Sequence, residues 1–371
     1  MNMNKKKKAV LHVSAGGLNK GGVGSVIFSL VENMCDKFAF GCVVYNIKYA
    51  EEEIFEKYGS LYRISCYPKK GKRDYIELLT RPMRLYWGIR RICKNNDFDV
   101  IHCHNQRDEW ICLLAAKHAN VPVRIAHTHV TNSPKKRSVL EKIYKSISPV
   151  MLNRVSTINV GCSKLACEQF YNHDNYIVIP NSIDLEKYSV NHRQDHKGIN
   201  FIHVGRFNYA KNQEFVLEVF AKLCEKIKNI HLYLVGYGGE KITKDIYDMV
   251  RDLEIVEFVS IIPGDKENVL DYYSISDYMI FPSRFEGFGI ALLEAQAMGI
   301  KCYVSENIQK EVDVGLLDFL NLSDGSQHWA DYIVKDINKK GKRLYNSEKL
   351  HLYSNETICK QYEKLYSLER D

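Results

Sequence analysis

Four charged side chains in the second half of the chain stand where they could act on a sugar and a phosphate. The segment FPSRFEGFGIALLEAQAMGIKC, residues 281–302, sets Glu286 in a glycine-rich turn. Glu294 follows eight residues later, in the first turns of a helix opening near Ile290. Carboxylates so placed are ionised acceptors for sugar or ribose hydroxyls, and the amides of Phe288, Gly289 and Ile290 can meet a phosphate or hexose. Upstream, HVGRFNYAKNQ places Arg206 and Lys211 just after an apolar run. Two cations five apart on one loop can neutralise a diphosphate without a metal. Any one of these is ordinary as a helix cap or surface ion pair; together they read as a site.

Other candidates are weaker. The turn SAGGLNKGGVGSVIFSL carries Gly21, Gly22 and Gly24, which let backbone approach a phosphate at a helix N-terminus. Its Gly22-x-Gly24-x-x-Ile27 spacing lacks the third glycine of a dinucleotide fingerprint, and the second strand ends at Tyr45-Asn46 without the acidic residue that would hold a ribose hydroxyl. His102/His104 and His127/His129 are i, i+2 pairs that share a face on a strand. They read as hydrogen-bonding or proton-carrying groups rather than metal ligands, since no carboxylate or cysteine has matching spacing. Asp97-Phe98-Asp99 has the DxD form of a manganese-binding pair, but it precedes its strand and reads as a helix-to-strand turn. The eleven cysteines include no CxxC pair, which argues for reduced thiols and against a zinc ribbon.

The elements that must position these groups alternate. Strand-like runs KAVLHVS, FGCVVYNI, DVIHCH, VRIAHTH, TINVGCS and YIVIP occupy the first half; INFIHVGR, HLYLVG, VEFVSII, YMIFPS and KCYVSEN occupy the second. Helix-period segments such as VGSVIFSLVENM, EFVLEVFAKLCEKI and IALLEAQAMG lie between them. Buried β-branched strands alternating with helices predict parallel sheets. The series occurs twice, so the expected fold is α/β, with two doubly wound Rossmann-like domains over residues 1–185 and 199–355 and a linker in 184–200. Such sheets bind ligands at the carboxyl ends of their strands, where the groups above fall.

Charge is uneven. Residues 1–150 hold 26 Lys and Arg against 13 Asp and Glu, a balance of +13, which leaves −6 for the remainder of a chain whose net charge is +7. Nucleic acid is an unsupported partner, because no helix-turn-helix, zinc finger or RNP signature accompanies the charge. Lys69, Lys70, Lys72, Arg73, Arg81, Arg84, Arg90, Arg91 and Lys94 interleave with Tyr75, Ile76, Leu78, Leu79, Leu85, Tyr86, Trp87 and Ile89. That mixture suits a helix on an anionic membrane surface. The apolar run after the first lysines is too short for a secretory signal, and no window supplies ~20 apolar residues for a span. The expected location is cytoplasmic, peripheral on the inner face of the membrane.

On these residues the chain resembles the GT-B glycosyltransferases, specifically retaining family 4 (the glycosyl transferases group 1). The resemblance rests on Gly21 and Gly22, PNSID (Pro180–Asp184), Gly205-Arg206 with Lys211-Asn212, VGYGG (Val235–Gly239), and EGFGIALLE as the family's E-x7-E motif. FLNLSDGSQHWADYI, and GIKC in place of G-x-P-V, resemble the bacterial capsule and exopolysaccharide branch. The resemblance implies two domains facing a deep cleft, with a C-terminal helix at 356–371 packed back on the first. It implies transfer of a hexose from a nucleotide sugar, UDP-linked by family frequency, to a lipid-linked or glycan acceptor. It further implies retention at the anomeric carbon, no cofactor and no divalent metal, with the leaving phosphate as base. Arg206 and Lys211 would hold the diphosphate, Glu294 the ribose, Glu286 with the Phe288 and Gly289 backbone the donor sugar, and Gly22 and Gly236 the phosphate side. His129, with His127 as the alternate, would be the acceptor-side histidine. A GT-B nucleotide-sugar epimerase and a catalytically silent nucleotide-sugar-binding subunit are the competing readings. The first would need other acid and base carboxylates, and the second could have lost any of the four charged groups.

Overall fold

The computed structural model describes residues 7–14, 17–18, 21–45, 51–65, 75–104, 108–129, 139–171, 173–264, 268–339 and 346–369. The chain divides into two compact units, one of Met1–Ser182 with Asn355–Asp371 and one of Ile183–Ser354. The stretch 184–200 read as a linker thus belongs to the second unit.

In the first unit the strands are β1 (Lys8–Ser14), β2 (Phe38–Val44), β3 (Gly59–Arg63), β4 (Val100–Cys103), β5 (Val123–Thr128), β6 (Ile158–Gly161) and β7 (Ile177–Val178). They form one parallel sheet in the order β3-β2-β1-β4-β5-β6-β7. The second unit contains β8 (Ile199–Val204), β9 (Ile230–Gly236), β10 (Val259–Pro263), β11 (Tyr278–Phe281), β12 (Lys301–Ser305) and β13 (Leu317–Leu320). Its parallel order is β10-β9-β8-β11-β12-β13. Both sheets reverse direction of winding beside their first strand, at β1/β4 and β8/β11, and such switch points open a crevice beyond the strand ends.

The central strands are apolar because helices cover both faces. Val10, Leu11 and Val13 of β1 and Phe201 and Ile202 of β8 are wholly buried. Helix Gln213–Lys226 buries Val216, Leu217, Phe220 and Leu223, one stripe of a 3.6-residue period. Phe215 on that helix meets Trp329 of helix Gly325–Ile337 edge to face at 5.2 Å. Trp329 is wholly buried and donates its indole N–H to the Asn321 carbonyl at 2.9 Å. Burying side chains of this size contributes about 1.5–3 kcal/mol each.

The C-terminal helix, Asn355–Tyr366, lies in the first unit. Its Tyr362 and Tyr366 are buried, and Lys37 pairs with Glu363 at 2.7 Å. Asp99 accepts the Ala9 amide at 2.7 Å and donates its own to the Ala9 carbonyl, so the DxD is a turn between helix Tyr75–Asn96 and β4.

The basic helix needs correction in part. Arg81 is buried and ion-paired with Asp108, while Leu85 and Ile89 are wholly inside the core. All three are turned inward and are unavailable to a membrane. Met83 and Trp87 are exposed, at 63% and 56%, with Arg91 and Lys94 exposed nearby. Lys69, Lys70, Lys72 and Arg73 lie outside the described residues. Among the described residues, no helix is long and apolar enough to cross a membrane.

Candidate active site

Two loops build the site on the second unit, one leaving β8 and one leaving β11, on either side of the switch point. The β8 loop carries Arg206 and Lys211. It is shaped from below by Gln213, which donates to the Arg206 carbonyl at 3.1 Å and accepts the Asn208 amide at 3.2 Å. Gln213 also meets His203 at 3.2 Å, whose other ring nitrogen donates to the Ile280 carbonyl at 2.9 Å. Burial lowers the His203 pKa to about 4, so the ring is neutral and can play both parts. Asn212 takes the left-handed conformation (φ 59°) before the helix and donates to the Pro282 carbonyl at 3.1 Å. The Arg284 amide donates to Ala210 at 2.8 Å, so the loops are stitched together by backbone.

The β11 loop carries Glu286, and Gly289 ends it. Gly289 sits at φ 94°, a conformation that disfavours a side chain, and caps helix Ile290–Ala297. Gln309 donates to the carbonyls of Glu286 and Gly287 at 3.3 and 3.1 Å, holding the turn from behind. Lys211 and Glu286 form a direct ion pair, less than one-fifth exposed on either side. The Lys211 ammonium also lies over the Phe281 ring, 4.5 Å from its centroid. Arg206 is exposed and stacks on Tyr237 at 5.5 Å. Its guanidinium also donates to the Tyr237 hydroxyl at 3.3 Å, so one tyrosine holds it on the exposed side of the loop.

Glu294 is held apart from that pair, by the hydroxyls of Tyr273 at 3.1 Å and of Tyr188. Burial raises its carboxyl pKa, opposed by those two hydrogen bonds. The Phe288 side chain is 3% exposed and packs near Tyr353, so only its backbone can serve a ligand; Ile290 is half-buried. A Cβ on Gly236 would stand 2.0 Å from the Gly205 carbonyl oxygen. Glycine is needed there for two backbones to pass.

In the first unit, Gly21 precedes helix Gly22–Met34 and Gly22 has φ 32° with no atom within 4 Å of a Cβ built there. His127 is wholly buried within β5, whereas His129 follows the strand and is half-buried. The paired histidines are joined by a fifth, His12 on β1. His12 Nδ1 lies 3.0 Å from His104 Nε2, and His104 Nδ1 lies 2.9 Å from His129 Nε2. His102 Nε2 lies 3.0 Å from His127 Nδ1, and the Tyr366 hydroxyl 2.8 Å from His102 Nδ1. Burial lowers all five; His12 falls to about 3 and His129 to about 4. Sequence reading missed His12, Gln213, Gln309, Tyr188 and Tyr273. Only the polar residue in the apolar run KAVLHVS was a visible signal for any of them.

Two parallel-sheet units with cations and a carboxylate at a switch point define a class. The chain belongs to the GT-B glycosyltransferases: residues 184–312 match the family described as Glycosyl transferases group 1, and residues 20–187 match Glycosyltransferase Family 4. Within that class its relatives include EpsF of Bacillus subtilis, 28% identical across 90% of this chain and 88% of EpsF. The capsular polysaccharide biosynthesis glycosyltransferase CapH of Staphylococcus aureus is 26% identical across 69% of this chain and 74% of CapH. Among solved structures, Anabaena HepE in complex with UDP and glucose superposes with a TM-score of 0.78 at 16% identity. It spans 97% of this chain and 99% of HepE. The protein is thus a glycosyltransferase with polysaccharide-related relatives.

Proposed function

We propose that this enzyme transfers a hexose from a UDP-sugar to a lipid-linked acceptor in capsule or exopolysaccharide assembly, with retention at the anomeric carbon. The observation that carries the reading is the Lys211–Glu286 pair beside Arg206, at the carboxyl ends of β8 and β11. The UDP and glucose bound to HepE, and the capsular role in CapH's name, support the donor and the pathway class.

In this mechanism Arg206 and Lys211 neutralise the diphosphate and stabilise the negative charge that grows on it as the glycosidic bond breaks. Lys211 is held ready by Glu286 and Phe281, so little reorganisation is needed. Glu286 and the Phe288–Gly289 backbone grip the sugar, and Glu294, steadied by two tyrosines, binds the ribose. Gly22 leaves room at its helix N-terminus for a phosphate. The departing phosphate takes the acceptor proton, and half-buried His129, neutral at physiological pH, meets the acceptor. Two fixed cations do the work of a divalent ion, so adding millimolar Mg2+ should leave turnover unchanged.

A lipid-linked acceptor requires access to a membrane surface, and the exposed Met83, Trp87, Arg91 and Lys94 suit one. Sedimentation with anionic vesicles should fall with added salt and on Trp87→Ser; sedimentation indifferent to lipid charge rejects this role. The test of the activity is a thermal-shift screen of UDP-, GDP- and dTDP-sugars followed by turnover with lipid-linked acceptor. A UDP-sugar should stabilise the protein and be consumed only when acceptor is present. Stabilisation without transfer to any acceptor would favour the silent-subunit reading.

A further inference from the structure

The buried histidines of the first unit are not explained by donor chemistry. We propose that His12, His102 and His104 form a binding site for one borderline divalent transition ion, of the zinc or cobalt type. His12 and His102 are directly opposed in the β1–β4 register, and His104 follows on the same face two residues on. One nitrogen from each ring lies within 4.8 Å of the others. His12 Nδ1 and His104 Nε2 are 3.0 Å apart. Zn–N bonds of about 2.0–2.1 Å in a tetrahedron separate ligand nitrogens by about 3.4 Å, so His12 and His104 would open by a few tenths of an ångström while the His102 nitrogen, within 4.8 Å of both, draws in.

The chemistry of the donor set selects the ion. All three ligands are imidazoles, with no oxygen donor among them, which excludes Mg2+ and Ca2+ and suits zinc-like ions. The three rings are buried, which would shield a bound ion from bulk water. The Tyr366 hydroxyl holds His102 Nδ1 and so directs Nε2 inward, where His127 stands 3.0 Å away at the approach of a fourth ligand. Through Tyr366 the ion would also tie helix Asn355–Tyr366 to the centre of the sheet.

A second triad, His104 with His127 and His129, shares one ligand, and the test separates the two. Full-length protein stripped with chelator is titrated with Co2+ and read by visible absorption. One equivalent should produce intense bands of a four-coordinate site, displaced by Zn2+ and untouched by Mg2+. His12→Gln should weaken binding at least tenfold, while His129→Asn leaves it intact. Absence of bands, or loss on His129→Asn with retention in His12→Gln, overturns the assignment. Should His12→Gln fail to fold, X-ray absorption of the Zn2+-loaded native protein decides. Three or more imidazole nitrogens at about 2.0–2.1 Å support the site and an oxygen-dominated shell refutes it.

Discussion

Glu294 and Lys211 show how burial sets the work of single residues. A carboxyl whose pKa is raised on folding binds its proton more readily in the folded state than in the unfolded one. Its ionisation therefore weakens the fold at neutral pH, and stability returns as pH falls through the raised value. Glu294→Gln keeps an oxygen acceptor for Tyr273 and Tyr188 and removes the charge. The expected outcome is a higher melting temperature without ligand and about tenfold weaker UDP binding by calorimetry, as charged hydrogen bonds contribute about 1.5–3 kcal/mol. Lys211 is inverse in character: it compensates the carboxylate of Glu286 at less than one-fifth exposure, so its loss should lower the melting temperature while the fold persists. Lys211→Ala and Arg206→Ala are each expected to reduce turnover about 10²- to 10³-fold, the scale of one lost oxyanion contact, with circular dichroism unchanged. Near-native turnover in both would remove the diphosphate role.

At the scale of elements, the loops after β8 and β11 are fixed by groups the eye passes over in a sequence. Arg206, Lys211, Glu286 and Glu294 were legible because charge beside glycine at a strand end is unusual. Gln213, Asn212 and Gln309 were not, because an amide reaching a carbonyl from another element leaves no periodic trace. The central strands were legible as apolar runs. The edge strands β3 and β13 were not, since they are half-buried and carry mixed residues such as GSLYR and LDFL. Arg81 misled for a related reason: one-dimensional charge interleaving does not distinguish a surface cation from one buried against Asp108. Gly236 offers the test at this scale. Gly236→Ala forces a Cβ against the Gly205 carbonyl, so backbone must shift, at about 1–3 kcal/mol. Melting temperature should drop by several degrees, and turnover should fall with it because the moved segment carries Arg206.

For the whole molecule, the five histidines make acid a selective stress on the first unit. They stay neutral when folded, while in the unfolded chain each titrates near 6.5, so the unfolded state binds more protons below that value. Stability should therefore decline as pH falls from about 6.5 toward about 4, each histidine adding a slope approaching about 1.4 kcal/mol per pH unit. Urea denaturation with chelator present measures this, and His12→Phe should flatten it by one histidine's share. In the other unit, the loops after β8 and β11 are expected to hold the diphosphate of a UDP-sugar. Backbone hydrogen exchange with and without UDP tests it across the entire chain at once. Protection centred on 205–213 and 283–294 is the predicted result. Binding of UDP that leaves both segments unprotected, and slows exchange elsewhere, would place the diphosphate outside these loops.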